Sequence, residues 1–234
     1  MTGAKMNISI KSIFRETIQH FKSNWIKLML MSLIGYLLPL GVFVWFTFVI
    51  FSEDMDDCAP CALAAMFIEL FLFVGLSFVL SCAKIFIRAF CHKSLDNQFK
   101  GFGNLVDASG FRFLPFELIF DLFCLGPWLI FFAMFSDFIE LQMIIILCTL
   151  PFLMIFILFV FVPNALCSSD VKFWMSFRVS NNLVKSNYGI VLKTVALSCL
   201  ISILLCCTGV GIIVAVPFSI LVKTVLYRKL VGCR

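Results

Sequence analysis

Charge is the first thing that this sequence has little of. Asp, Glu, Lys and Arg make up 13% of its 234 residues, whereas a soluble domain carries about 25%. Hydrophobic residues make up 62%, and thirty residues are Phe. A chain of this composition would aggregate in water but is ordinary in lipid. The scarcity of charge therefore excludes a soluble globular class and predicts an all-α, polytopic membrane helical bundle.

Residues that carry chemistry are also scarce. The chain has two His, no phosphate-binding loop and no nucleophile placed beside a base. Its Gly101-x-Gly103 pair is too short for a nucleotide-binding fingerprint. We therefore expect no catalytic residue, no metal site and no cofactor. The sequence indicates membrane architecture more than an activity, and an enzyme is the less favoured class.

Long apolar runs, by contrast, are abundant. A span needs about 20 mostly apolar residues to cross a hydrocarbon core of about 30 Å. Residues 1–27 are expected to form a cytoplasmic amphipathic helix, and residues 227–234 a short basic tail. A tight hairpin at Thr208-Gly209 separates the last two spans. The six predicted spans are residues 28–51, 62–82, 113–135, 141–162, 190–207 and 210–226.

Lys and Arg are missing from every connection that this arrangement places outside. The connections 52–61, 136–140 and 208–209 contain neither residue, and all 18 basic residues lie in or beside the inner segments. Because cytoplasmic loops are enriched in Lys and Arg, both termini are expected in the cytoplasm. We predict a multi-pass protein of the bacterial inner membrane.

A basic, helix-compatible segment occurs twice at a constant offset. In both copies Phe-Arg is followed by Lys-Ser-Asn-aromatic and then by an apolar span. The pattern predicts two helices on the inner membrane surface that bind anionic lipid headgroups. Packing of the first copy as a hydrophobic collar against the spans is the alternative, and nucleic acid is not an expected partner. The membrane-surface basic residues are Lys11, Arg15, Lys22, Arg178 and Lys185.

Three acidic residues fall inside predicted spans. Ionisable side chains are costly in a membrane and usually face the interior of a bundle. Glu117 and Asp121 are four residues apart and share one helix face. With Glu69 they would form a proton or cation relay in a small transporter or channel. In the structural alternative, Glu117 lies at the inner interface and Asp121 is the only deep charge.

Four cysteines are predicted at the outer face: Cys58, Cys61, Cys206 and Cys207. The Cys-x-x-Cys spacing of the first two is typical of thiol-redox sites. The surrounding loop, however, carries acids instead of a cation that would stabilise a thiolate. A structural role is favoured, with a thiol-redox enzyme and a metal site as alternatives.

The segment before the fifth span, together with the hairpin and Pro217 after it, carries a family resemblance. It resembles a broad group of bacterial integral membrane proteins that includes the membrane domain attached to some glycerophosphodiester phosphodiesterases. The resemblance implies the six-span architecture and no activity, since the chain has no cluster of acids and His for phosphodiester chemistry. We expect a non-enzymatic scaffold or lipid-interacting envelope component. The matching residues are Ser176, Phe177, Ser180, Leu183, Val184, Lys185 and Asn187.

Overall fold

Helices form every regular element that the computed structural model describes. The described residues are 8–52, 59–95, 114–115, 118, 157–168, 172–208 and 211–232. The helices are α1 (Ile10–Ser32), α2 (Leu38–Ser52), α3 (Ala59–Leu95), α4 (Val162–Ser168), α5 (Phe173–Ser186), α6 (Tyr188–Cys206) and α7 (Ile212–Val231). A π-helical turn, Leu33–Leu37, joins α1 to α2. The predicted all-helical class is confirmed.

Three described helical stretches are long and apolar enough to cross a membrane. They are Ile10–Phe46, Val74–Leu95 and Tyr188–Leu205. The predicted spans 113–135 and 141–162 lie almost wholly outside the described residues. Helix α7 covers the predicted sixth span, but it is not among the three apolar stretches. Its 20 residues include Lys223, Arg228 and Lys229.

Helix α7 lies at the centre of the described bundle. It packs against α1, α3 and α6, and Val222, Val225 and Leu226 are almost fully buried. Apolar residues occur on all sides of this helix, which suits an element that is surrounded by other helices. The hydrophobic core around it also includes residues of α4 and α5.

The π-helical turn coincides with the proline of the first predicted span. Pro39 has no N–H to donate to the carbonyl group of Gly35, and its ring crowds that carbonyl group. The N–H of Leu38 instead donates to the carbonyl group of Leu33, five residues earlier. A π-turn of this kind lets a helix continue past a local disruption. The helical path therefore runs from residue 10 to residue 52.

Gly35, inside the same turn, permits a close approach to α3. A Cβ atom placed on Gly35 would lie 2.6 Å from the Cβ atom of Ala83. Small residues are common where membrane helices pack closely, because they bring the two backbones together. The first helical rod and α3 thus meet through a glycine–alanine contact.

The two copies of the repeated segment are both helical but end differently. The side-chain amides of Asn24 and Asn187 each donate to the carbonyl group four residues earlier, at 3.3 and 3.2 Å. Helix α1 nevertheless continues through Asn24, and so passes the boundary predicted at residue 27. Helix α5 ends at Ser186, and Asn187 leaves the helical conformation with φ −131° and ψ 29°. Gly189, which disfavours helix, follows the second copy only.

Ser180 of α5 stabilises the turn that interrupts the helical path just before α4. Pro163 lies in the first turn of α4, where its missing N–H is tolerated. Just before it, the N–H of Phe161 donates to the Ser180 hydroxyl group at 3.2 Å. The same hydroxyl group donates to the carbonyl group of Leu158 at 2.8 Å. One buried side chain therefore satisfies two backbone groups on a neighbouring segment.

Candidate lipid-facing surface

Part of helix α5 has its polarity reversed relative to a helix on a soluble protein. Its buried residues are Ser176, Ser180 and Val184, which recur at every fourth position. Its outer face carries Trp174, 79% exposed, and Met175, 58% exposed. A soluble amphipathic helix would bury its large apolar side chains and expose its serines. The exposed side also carries Arg178, Asn182 and Lys185, and this mixture of apolar and charged side chains is typical of a helix at a membrane surface.

Helix α6 repeats this reversal over a longer stretch. Thr194 and Ser198 are fully buried, whereas Leu200, Ile203 and Leu204 are each more than half exposed. The hydroxyl groups of Thr194 and Ser198 have no hydrogen-bond partner among the described residues. Small hydroxyl-bearing residues are enriched at interfaces between membrane helices, where they allow close packing. The large outward side chains would contact lipid chains favourably, and water unfavourably.

Exposed apolar side chains also cover the first helical rod and part of α3. Ile26, Ile34, Phe48 and Phe71 are each more than half exposed, in part where no polar neighbour interrupts the surface. Contiguous apolar surface of this extent marks a membrane or protein contact. Small hydroxyl residues again lie on the inner side of these helices. They are Thr17, Ser32, Ser77 and Ser81.

The five predicted membrane-surface cations are all exposed on α1 and α5. No ion pair joins any of them to another residue that the structure describes. Glu16, the only acidic side chain within the described parts of the chain, instead binds Lys229 of α7 with an N–O distance of 2.7 Å. The charges predicted to meet lipid headgroups are therefore available to an external anion. They are Lys11, Arg15, Lys22, Arg178 and Lys185.

The helices that carry basic residues meet at one end of the bundle. The Glu16–Lys229 ion pair joins the start of α1 to the end of α7. The Asn24 amide donates to the Ser94 hydroxyl group at 3.0 Å, which joins α1 to the end of α3. The ring centroids of His92 and Tyr227 lie 6.4 Å apart. These contacts bring α1 together with the basic ends of α3 and α7.

An apolar groove opens between α1 and the first half of α7. It has a volume of about 450 Å³, within the size range of small-molecule and lipid sites. The ring of Phe218 forms its floor and contacts the ring of Phe21 edge-on, with centroids 6.0 Å apart. Both the groove and its single lining cation face outward. The lining residues are Ile18, Phe21, Lys22, Trp25 and Phe218.

A buried polar cluster links three helices beneath this surface. The side-chain oxygen of Asn164 in α4 accepts from His92 Nε2 of α3 at 3.3 Å. The hydroxyl group of Thr224 in α7 lies 3.2 Å from the same oxygen and 2.9 Å from the carbonyl group of Ile220. Because the oxygen is only an acceptor, Nε2 carries the proton in this arrangement. All three side chains are buried.

The sequence analysis did not single out this cluster. His92, Asn164 and Thr224 are far apart along the chain, and no spacing pattern connects them. The available signal was the presence of a His and an Asn in segments that are otherwise buried, because buried polar groups are usually hydrogen-bonded. The side-chain amide nitrogen of Asn164 has no partner among the described residues. The cluster cross-links α3, α4 and α7, and the amide nitrogen of Asn164 is its unused hydrogen-bond donor.

The acids and cysteines of the two alternative functions lie mostly outside the described residues. Glu117, Asp121 and Cys58 are not described, and neither are the side chains of Glu69 and Cys61 on α3. The side chain of Cys206, the last residue of α6, is also outside the description, whereas Cys207 is an exposed free thiol. The relay and the thiol-redox pair both stay predictions.

No group of three His, Cys, Asp or Glu side chains is arranged to hold a metal ion within the described ranges. Comparison with protein-family models, curated proteins and solved structures found no match. The resemblance to the membrane domain of glycerophosphodiester phosphodiesterases stays a prediction, and function has to be argued from the geometry of this chain.

Proposed function

We propose that this chain is a six-span protein of the bacterial inner membrane, with both termini in the cytoplasm, that acts as a lipid-interacting or scaffold component of the envelope. Its basic helices α1 and α5 lie at the inner membrane surface and contact anionic headgroups. Its remaining helices contact lipid chains through their outer faces. No reaction is assigned to it.

The observation that carries this proposal is the reversed polarity of α6 and of part of α5. Trp174, Met175, Leu200 and Ile203 are exposed while the hydroxyl-bearing faces of the same helices are buried. In water, exposure of these side chains forgoes about 25 cal/mol for each Å² of apolar surface that could have been buried. In a bilayer the same surface has no such penalty. The unpaired cations at one end supply the charge that anionic headgroups require.

Isolation of the protein with its surrounding lipid tests this function. The chain would be extracted from membranes in polymer-bounded native lipid discs, and the co-purified small molecules identified by mass spectrometry. We expect the protein in the fraction that resists alkaline carbonate extraction. We also expect anionic phospholipid to be enriched in the discs over the bulk membrane, because Lys11, Arg15, Lys22, Arg178 and Lys185 attract it.

The two alternatives are distinguished by the molecules that co-purify in the discs and by a separate transport assay. A co-purified quinone would favour the thiol-redox function of Cys58 and Cys61. Proton-coupled flux in proteoliposomes that Asp121→Asn or Glu69→Gln abolishes would favour a transporter. Release of the protein by alkaline carbonate would contradict the proposal itself, since an integral protein stays in the bilayer.

A further inference from the structure

The groove between α1 and α7 combines an apolar floor with a cationic rim. Arg15, Ile18, Lys22 and Trp25 follow one another at spacings of three and four residues, so they share one face of α1. Arg15 and Lys22 are exposed on this face, and Ile18 and Trp25 are 44% and 50% exposed. Two cations thus flank an apolar strip that borders the opening of the groove.

Neither cation is neutralised by the described protein. The Glu16 carboxylate, on the adjacent side of α1, is held by Lys229. Arg15 and Lys22 form no ion pair with any residue in the described ranges. An apolar groove with unneutralised positive charge at its rim complements a molecule that has an apolar chain and an anionic head.

The groove also lies at the level of α1 where charge ends. Residues 28–52 contain no charged side chain, and Lys22 precedes this apolar stretch by six residues, or about 9 Å along a helix. Trp25 lies between the two, as interfacial tryptophans do at the headgroup level of a bilayer. A lipid whose phosphate contacted Lys22 would therefore have one acyl chain in the groove and its other acyl chain beside the apolar stretch of the same rod.

We propose that the groove binds one anionic phospholipid, with its phosphate on Lys22 and Arg15 and an acyl chain over Ile18, Phe21 and Phe218. This inference rests on the proposed function and deepens it by naming the lipid class and its site. The Trp25 ring covers the chain near the headgroup. The bound lipid fills the space between α1 and α7 over Phe218.

Lipid titration monitored by native mass spectrometry tests the site. Full-length protein in a non-ionic detergent would be titrated with phosphatidylglycerol and, separately, with phosphatidylcholine. We expect one phosphatidylglycerol to bind before all others, and phosphatidylcholine to bind more weakly. Lys22→Gln should weaken that first phosphatidylglycerol about fivefold, since a basic residue near an anionic lipid contributes about 1 kcal/mol.

Two further variants distinguish lipid binding in the groove from a general electrostatic attraction between the lipid and the protein. Ile18→Trp fills the groove and should remove the first binding event for both lipids. Lys185→Gln removes the same charge from an exposed, unpaired position on α5, and should leave the first binding event unchanged. Thermal melting in detergent checks that each variant is folded. If Ile18→Trp melts at a lower temperature than the wild type, Lys22→Gln still tests the site. Lys22 is exposed, so its substitution should not disturb folding.

Three outcomes would overturn the assignment. The first is an equal loss of affinity in Lys22→Gln and Lys185→Gln, which would indicate diffuse attraction. The second is lipid binding unaffected by both Ile18→Trp and Lys22→Gln. The third is a dimer that Ile18→Trp dissociates while lipid binding persists. This result would show that a second copy of the chain occupies the groove. Each outcome can occur while the wild-type protein still resists carbonate extraction. Failure of the lipid site can therefore be distinguished from failure of the proposed function.

Discussion

The hydroxyl group of Ser180 makes two hydrogen bonds to the backbone of a neighbouring segment. It accepts from the N–H of Phe161 and donates to the carbonyl group of Leu158. Both backbone groups belong to the segment that breaks before α4, so they have no helical partner of their own. An unsatisfied buried polar group costs about 1–3 kcal/mol. The side chain is therefore small in volume but large in its effect on stability.

Ser180→Ala should lower the free energy of unfolding by about 2–4 kcal/mol, because it leaves two backbone groups unpaired. Denaturation in mixed detergent and SDS, followed by circular dichroism, would measure the change. Ser186→Ala is the matched control, since its exposed hydroxyl group bonds only to the carbonyl group of Asn182 within the same helix. Equal effects of the two substitutions would show that Ser180 does not support the break.

Gly35 is the residue where one added methyl group should matter. Its Cβ would lie 2.6 Å from the Cβ of Ala83, a separation that forces the two helices apart. Gly35→Ala should therefore destabilise the protein by about 1–3 kcal/mol, the usual cost of overpacking. The change in melting temperature in detergent would report it.

Gly41 provides the contrasting control for that substitution. Nothing lies within 4 Å of a Cβ placed on Gly41 in α2. Gly41→Ala should be neutral or stabilise by about 0.5–1 kcal/mol, because alanine has the higher helix propensity. Destabilisation of similar size at both positions would contradict the close contact between Gly35 and Ala83.

At the scale of the element, α6 shows how burial and polarity combine. Thr194 and Ser198 are buried in the core, whereas Leu200, Ile203 and Leu204 face outward. The hydroxyl groups are compact enough to let α6 and α7 approach, whereas the outer face has no described neighbour to constrain it. Whether lipid or water contacts that outer face decides how well the face tolerates a charged substitution.

Leu200→Lys places a charge on the outer face of α6, near the middle of the helix. A lysine at the centre of a membrane helix costs about 2.5–3.5 kcal/mol of insertion free energy. We expect a reduced fraction of inserted protein in a membrane-insertion assay, and no such loss for the control Leu200→Met. Normal insertion of the lysine variant would mean that this face of α6 contacts water.

At the scale of the whole molecule, the arrangement of basic residues determines topology. The basic residues of α1 and of the ends of α3 and α7 are brought together by contacts between these helices. In the proposed membrane orientation this end is cytoplasmic, because positively charged segments are retained on that side. Headgroup binding and orientation therefore depend on overlapping sets of charges.

Reporter fusions would test this orientation. Alkaline phosphatase and green fluorescent protein fused after Asp57, Asn97, Asp137 and Asn181 should report outside, inside, outside and inside. The prediction follows from the absence of Lys and Arg in the outer connections. An inside signal after Asp57 would contradict the six-span arrangement. Reversal of the pattern on adding basic residues near that position would support its electrostatic origin.

Composition alone determined that this protein is a helical membrane protein. Few charges and long apolar runs are properties of the solvent that a chain requires, and they hold whichever helices pack together. Local spacing likewise predicted that residues around Arg15 and Arg178 are helical, since the helical period is read within a few turns. The exposure of Lys22 and Lys185 followed from the cost of burying a charge.

Only the tertiary structure decided which face of each helix is buried and how distant residues meet. Ser180 is buried on α5 because it reaches the backbone of the segment before α4, which no pattern within α5 encodes. His92, Asn164 and Thr224 come together because α3, α4 and α7 pack side by side. The groove over Phe218 exists because α1 crosses α7 there. Such contacts depend on which helices become neighbours, whereas composition and period are properties of each segment alone.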